Sequence, residues 1–137
     1  MSEPKTLEEI YHACKVPKSS TTPQVASTAK NKMGNRWVVI DNIKFQSTGE
    51  GYYYLELKEQ LLRGYIKEFK RQVPFEFFVN GVRVGKYVAD FATIGFDGNV
   101  QVIDYKSRYT LKLPLYQIKK ALMLACYQVV IKEVGTK

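Results

Sequence analysis

Two aspartates and a lysine are the residues best suited to chemistry in this chain: Asp90 in Tyr87-Val88-Ala89-Asp90-Phe91, and Asp104 and Lys106 in Val102-Ile103-Asp104-Tyr105-Lys106. Both aspartates sit inside apolar runs, where a carboxylate is rare unless something compensates its charge. Asp97-Gly98 between them is a turn signal, and the two acids stand at nearly equal distances from it. On adjacent antiparallel strands they become near neighbours. Two like charges a few ångströms apart repel, and a divalent cation is the simplest compensation. Lys106, two residues beyond Asp104, shares its face in a regular strand. Such a group suits phosphodiester hydrolysis. Carboxylate oxygens hold Mg²⁺, the metal lowers the pKa of a bound water and polarises the phosphate, and the ammonium orients the nucleophile or offsets developing charge. The only histidine, His12, is distant in sequence, which disfavours zinc, a His-based general acid and a nucleophilic triad.

These residues need strands and helices to position them. Strands are expected at 86–94 and 100–105, the second dense in β-branched residues and short enough to be central. Extended runs at 36–40 and 43–46 flank an Asp41-Asn42 turn, and others at 66–69 and 75–79 precede Asn80-Gly81. Ser47 opens a helix running to about residue 63, with Gly64 as its C-cap; Glu50, Tyr53, Tyr54, Leu57 and Leu61 share one stripe of it. Pro114 begins a second helix over 114–125, and 127–134 closes as a strand. The fold class is α/β, with a central mixed sheet of about four strands flanked by helices in the order helix, three strands, helix, strand. The last helix makes a right-handed crossover between parallel strands, so helices and a crevice converge at the C-terminal end of the Val100 strand.

The chain has 137 residues, a length suited to one domain, and its hydrophobic fraction of 45% is enough for a core rather than a disordered basic tail. Cys14 and Cys126 have no C-x-x-C spacing and no secretory leader opens the chain, so an intracellular, reduced protein without structural zinc is expected. The most apolar stretch, 121–131, is too short to span a membrane. Lys and Arg exceed Asp and Glu by 21 to 13, a net +8 that favours a polyanionic partner, nucleic acid first.

Residues 1–34 read as a basic flexible arm, with a short helix at 6–14, ahead of a domain over 35–137. Two roles stay open for the arm: a solubilising tail, or a segment whose Lys30 and Lys32, with Arg36 just beyond it, lie along a phosphate backbone or exchange with a partner subunit. From Lys106 onward there are seven basic side chains and one acid, Glu133. Arg108 and Lys112 follow the catalytic strand and are candidates to clamp phosphates flanking a cut, whereas Lys119 and Lys120 read equally as a solvated face. Gln72 is a candidate DNA or metal-water contact beside a plain hydrogen-bonding role. Of the run Tyr52-Tyr53-Tyr54, one ring is available to stack on a base or to face a subunit, and at least one packs in the core.

The order of motifs resembles the PD-(D/E)xK nuclease superfamily, and within it a phage-encoded endonuclease-like family. That family carries Ser-x-x-Glu at a helix start, Gly-x-Ile, Gln-x-x-Phe, Tyr-x-x-Asp-Phe and a D/E-x-K strand. Here they read Ser47-Thr48-Gly49-Glu50, Gly64-Tyr65-Ile66, Gln72-Val73-Pro74-Phe75, Tyr87-Val88-Ala89-Asp90-Phe91 and Asp104-Tyr105-Lys106, in order over about three-quarters of the chain. The resemblance implies a restriction-endonuclease-like core, with Asp90, Asp104 and the Tyr105 carbonyl as Mg²⁺ ligands, Mn²⁺ able to substitute, and Lys106 as the catalytic lysine. It implies that Glu50 binds a second metal or a metal-bound water; the spacing from Ser47 also allows a capping box alone. The family more often has Ala after that acid, where this chain has Gly51. Phage-type Holliday junction resolvases are similar in size and charge, which implies a homodimer cutting branched DNA in a host cytoplasm. A nicking or double-strand nuclease without junction preference, and an inactive DNA-binding module, are the other expectations.

Overall fold

The computed structural model describes residues 6–13, 25–30 and 36–135, with 25–30 and 36 as backbone. It divides the chain into two compact units, one of residues 1–16 with 66–137 and one of residues 17–65.

The first unit holds the central sheet. Strands β4 (Glu68–Val79), β5 (Val82–Ile94), β6 (Val100–Tyr105) and β7 (Lys132–Val134) lie side by side in that order. The first two junctions are antiparallel and β6–β7 is parallel, so the sheet is mixed, as expected. Asn80 and Gly81 both have positive φ, as the tight β4–β5 turn requires. The connection from β6 to β7 runs through the one-turn α3 (Arg108–Leu111) and then α4 (Pro114–Tyr127). Pro114 enters α4 at its first turn, where a missing N–H costs nothing, and Gln128 ends it in the left-handed region at φ 54. Helix α1 (Leu7–Ala13) joins α4 in covering the core: Ile10, Tyr11 and Met123 pack with Val73, Phe75, Phe77, Tyr87, Ala89, Ala92, Ile94 and Val102. The Lys70 ammonium fastens α1 to β4 by donating to the Tyr11 carbonyl at 2.6 Å.

One irregularity in this sheet bears on the site. Side chains alternate faces along a strand, yet β5 gives the same core Tyr87 and Ala89, then Ala92 and Ile94. The strand skips a step in between, at Asp90-Phe91. Opposite the skip, the ladder pairs Arg71 with Phe91 and Val73 with Ala89, with no pair between, and Gln72 stands at φ 50.

The second unit is a small antiparallel sheet, β1 (Val25–Lys30), β2 (Arg36–Ile40) and β3 (Ile43–Phe45), packed against α2 (Thr48–Leu62). Asp41 and Asn42, at φ 54 and 63, make the expected tight turn. Ser47 caps α2 as expected, its Oγ accepting the Glu50 N–H at 3.1 Å. Gly64, at φ 77, follows the cap residue Arg63. The buried line of α2 is Gly51, Tyr54, Leu57 and Lys58, so it is rotated from the expected stripe and leaves Glu50, Tyr53 and Leu61 half-buried. Tyr52 is the exposed ring of the tyrosine run and Tyr54 the core one. The Asp41 carboxylate, buried, accepts from the Tyr54 hydroxyl at 2.8 Å and the Lys58 ammonium at 2.6 Å, tying the hairpin turn to the helix.

Several expectations are corrected. The short helix expected at 6–14 is present as α1, but its Tyr11 is fully buried rather than part of a flexible arm, and the arm over 1–34 also contains β1, which pairs with β2; hydrogen bonding to a neighbouring strand orders a segment whose own composition would not. The chain makes two units rather than a single domain over 35–137, since α2 has its own small sheet to cover. Strands expected at 66–69 and 75–79 form one continuous β4, because Pro74 sits on the sheet's edge strand, where its missing N–H breaks no ladder. Strand β5 starts earlier than 86, α4 runs on to Tyr127, and β7 is confined to three residues.

Gly51 lies where α2 meets β2. A Cβ there would stand 2.6 Å from Val38 Cγ1 and 3.0 Å from Ile40 Cδ1. Ala is the better helix former by about 1 kcal/mol, but the stiff Val38 cannot rotate aside, and overpacking costs about 1–3 kcal/mol. Gly51→Ala is therefore expected to lower stability in urea unfolding, and Gly51→Ala with Val38→Ala to recover at least part of the loss.

Candidate active site

The β5–β6 ladder runs from Ile94↔Val100 to Phe91↔Ile103 and, continued by one step, sets Asp90 opposite Asp104, the neighbours expected from the turn. Beyond Phe91 the Asp90 carboxylate accepts the Tyr105 N–H at 2.9 Å, so the skip in β5 turns a side chain onto a group that a regular ladder would leave to backbone. On its other edge β6 pairs in parallel with β7, matching Asp104 with Glu133, and the Lys106 N–H donates to the Val134 carbonyl at 2.9 Å.

Asp104 is fully buried, and neither of its oxygens accepts a well-formed hydrogen bond. The compensating charge is the Lys106 ammonium, 3.2 Å from Oδ2, on the face expected for it. Burial first, and then the adjoining Asp90 carboxyl, push the Asp104 carboxyl up to about 7, against the pull of Lys106 and of the Tyr87 hydroxyl. Burial, followed by the Asp104 charge, likewise raises the Tyr87 phenol above its ordinary value.

Three further residues adjoin this group. The Lys106 ammonium lies over the Tyr116 ring, 5.5 Å from its centroid. The Tyr116 hydroxyl donates to Glu133 Oε2 at 2.6 Å, and the Lys120 ammonium donates to Glu133 Oε1 at 3.1 Å. Burial, then Glu133, hold the Tyr116 phenol above its ordinary value. Sequence reasoning missed Tyr116 and Glu133 and read Lys120 as equally a solvated residue. The available signal was that Glu133 is the sole acid in the basic stretch from Lys106 onward.

The site thus gathers Asp90, Asp104, Tyr105 and Lys106. Arg108 begins α3 and Lys112 caps it, both exposed and a few residues beyond Lys106. Gln72 is exposed at the β4 irregularity, at the step of the ladder left unpaired between Arg71↔Phe91 and Val73↔Ala89. Glu50 starts α2 in the other unit. Lys30 and Arg36 are backbone partners in β1 and β2, and Lys32 lies outside the described residues.

Asp90, Asp104 and the Tyr105 carbonyl offer only oxygen donors, the set a hard cation takes, and the bare oxygens of buried Asp104 are the acceptors such an ion would satisfy. Among the described residues no three His, Cys, Asp or Glu side chains converge. Two carboxylates still fit Mg²⁺, which usually keeps several waters beside one or two protein acids.

The raised Asp104 carboxyl sets a pH dependence. From about pH 4 to about pH 7 the folded state keeps a proton that the unfolded chain releases, so this group's contribution to stability falls as pH rises through that window. Above it, the buried carboxylate is a standing cost. Thermal unfolding of wild type and Asp104→Asn from pH 4 to 9 is expected to show the variant gaining on wild type across the window and remaining more stable above pH 7.

Neither a curated protein nor a solved structure matches the chain. A family match does cover residues 30–134, which include every site residue from Tyr87 to Glu133, and the chain belongs to the family described as Protein of unknown function (DUF1064).

Proposed function

We propose that the protein is a Mg²⁺-dependent DNA endonuclease that hydrolyses phosphodiester bonds with an activated water, and that Mn²⁺ substitutes. The observation that carries this reading is a fully buried Asp104 whose oxygens accept no well-formed hydrogen bond, opposite Asp90 and 3.2 Å from the Lys106 ammonium. A core assembled for packing alone has no use for such a group. Asp90, Asp104 and the Tyr105 carbonyl would hold the ion. Bound there, Mg²⁺ supplies acidity to a coordinated water and positive charge facing the phosphate. Asp104 orients Lys106 by their ion pair. The Lys106 ammonium then steers the water towards phosphorus and offsets the charge that builds as the bond to the leaving oxygen breaks.

The net charge of +8 supports DNA as the substrate. Arg108 and Lys112 hold phosphates near the cut, and Lys30, Lys32, Arg36 and Gln72 are further candidate DNA contacts. Resolution of a four-way junction needs two opposed nicks, and one chain presents one site, so the junction reading entails a homodimer. The site of action is a bacterial host's cytoplasm, as the phage-type resemblance implies; no helix among the described residues is long and apolar enough to cross a membrane. A nicking nuclease without junction preference would use the same residues. A DNA-binding module without turnover has one observation in its favour: Asp90 already engages the Tyr105 N–H, and Asp104 already has Lys106 beside it.

The test is cleavage of a labelled four-way junction and a matched duplex in Mg²⁺ or EDTA. Wild type is expected to make paired, Mg²⁺-dependent cuts near the branch, and Asp104→Asn and Lys106→Ala to lose at least about 100-fold in rate. Equal cutting of the duplex would select the nicking nuclease. Binding without cleavage in any form would select the module.

A further inference from the structure

Tyr116, Lys120 and Glu133 form a cluster that the proposed chemistry does not use, and it reaches Lys106. A lysine has four rotatable side-chain bonds, and fixing them costs up to about 2 kcal/mol in entropy. An ammonium that steers a water needs a second support besides the Asp104 contact at 3.2 Å, and the Tyr116 ring, 5.5 Å away, lies against it. The ring is itself held: Tyr116 is 5% exposed, and its hydroxyl donates to Glu133 at 2.6 Å. Lys120, one helical turn along α4, takes the other Glu133 oxygen, and the Glu133 backbone is in register with Asp104. The contacts close a loop through β6, α4 and β7 that returns to the residue from which it started.

We infer that Tyr116, anchored by Glu133 and Lys120, is a positioning residue for the Lys106 ammonium. Its consequence for cleavage rests on the nuclease reading; its existence does not. An aromatic face attracts a cation through its quadrupole and brings no net negative charge. A second carboxylate in its place would neutralise the ammonium before a phosphate arrived. Tyr116 thus holds Lys106 still and leaves its charge available, while the negative charge of Glu133 is kept one residue away and balanced by Lys120.

Two readouts test this. In protein labelled with ¹³C-lysine, the Lys106 ε-CH₂ signal, identified by its loss in Lys106→Arg, is expected to be shifted upfield by the ring in wild type. It should stay shifted in Tyr116→Phe, move less far upfield in Glu133→Gln, and return to the position of a free lysine in Tyr116→Leu. In the junction-cleavage assay, Tyr116→Leu is expected to lower kcat about tenfold with KM changed less than about twofold, and Tyr116→Phe to recover most of the loss. A wild-type enzyme whose kcat and Lys106 signal are both unchanged in Tyr116→Leu overturns the inference. Should Tyr116→Leu fail to fold, an unmoved signal and unmoved kcat in Glu133→Gln overturn it instead. If wild type does not cleave at all, the nuclease reading falls, and the Lys106 signal alone decides whether the ring holds the lysine.

Discussion

Burying the Asp104 carboxylate is the constraint around which the rest of the central sheet is arranged. Removing a carboxylate from water costs several kcal/mol even after the surroundings relax, and only good geometry with a partner offsets it. Each strand and helix near Asp104 meets part of that demand. Strand β6 brings Lys106 to the same face, and β5 gives up one step of its ladder so that the Asp90 carboxylate takes the Tyr105 N–H beside it. Strand β7 covers the far edge, and α4 closes over Lys106 with a ring rather than a charge. A sheet selected for packing alone would place an aliphatic residue at position 104 and need none of these adjustments.

The central pair was legible because two simple periods fixed it. A turn at Asp97-Gly98 determines which residues face each other across a hairpin, and alternation along β6 determines that Lys106 follows Asp104. The tight turns and the Ser47 cap were legible for a similar reason, since each depends on a few consecutive residues. What escaped were features decided by a distant partner. Val25–Lys30 has too little apolar alternation to read as a strand, and becomes one because β2 lies next to it. Pro74 reads as a break until β4 is known to be an edge. Tyr116 and Glu133 are 17 residues apart on different elements, and no local pattern joins them.

The smaller unit solves a related problem with opposite means. Its buried Asp41 meets a lysine and a tyrosine hydroxyl at short range, so its charge is fully answered. It thereby pins a turn with two positive-φ residues against the flank of α2. In the first turn of α2, the absence of a side chain at Gly51 lets the helix backbone approach Val38 and Ile40. A satisfied ion pair and a missing methyl group together set how closely α2 lies on its sheet. At Asp104 the lysine stands farther off, at 3.2 Å, and neither oxygen accepts a well-formed hydrogen bond, so the two buried acids are answered to different degrees.

The parallel pairing of β7 with β6 also fixes an order of events. Asp104 is synthesised before its neighbour in the sheet, Glu133, and at about 5–20 residues per second the interval is roughly one to six seconds. Until β7 docks, β6 has an open edge, and the Tyr116 ring beside Lys106 lacks the Glu133 carboxylate that holds it. The sheet can therefore pair β4, β5 and β6 first, through local hairpins, while the end that carries Asp104 and Lys106 stays loose until three late residues dock. A chain truncated before residue 132 would keep most of its core residues and the Asp90, Asp104 and Lys106 side chains, but lack the strand and the Glu133 carboxylate that close around them.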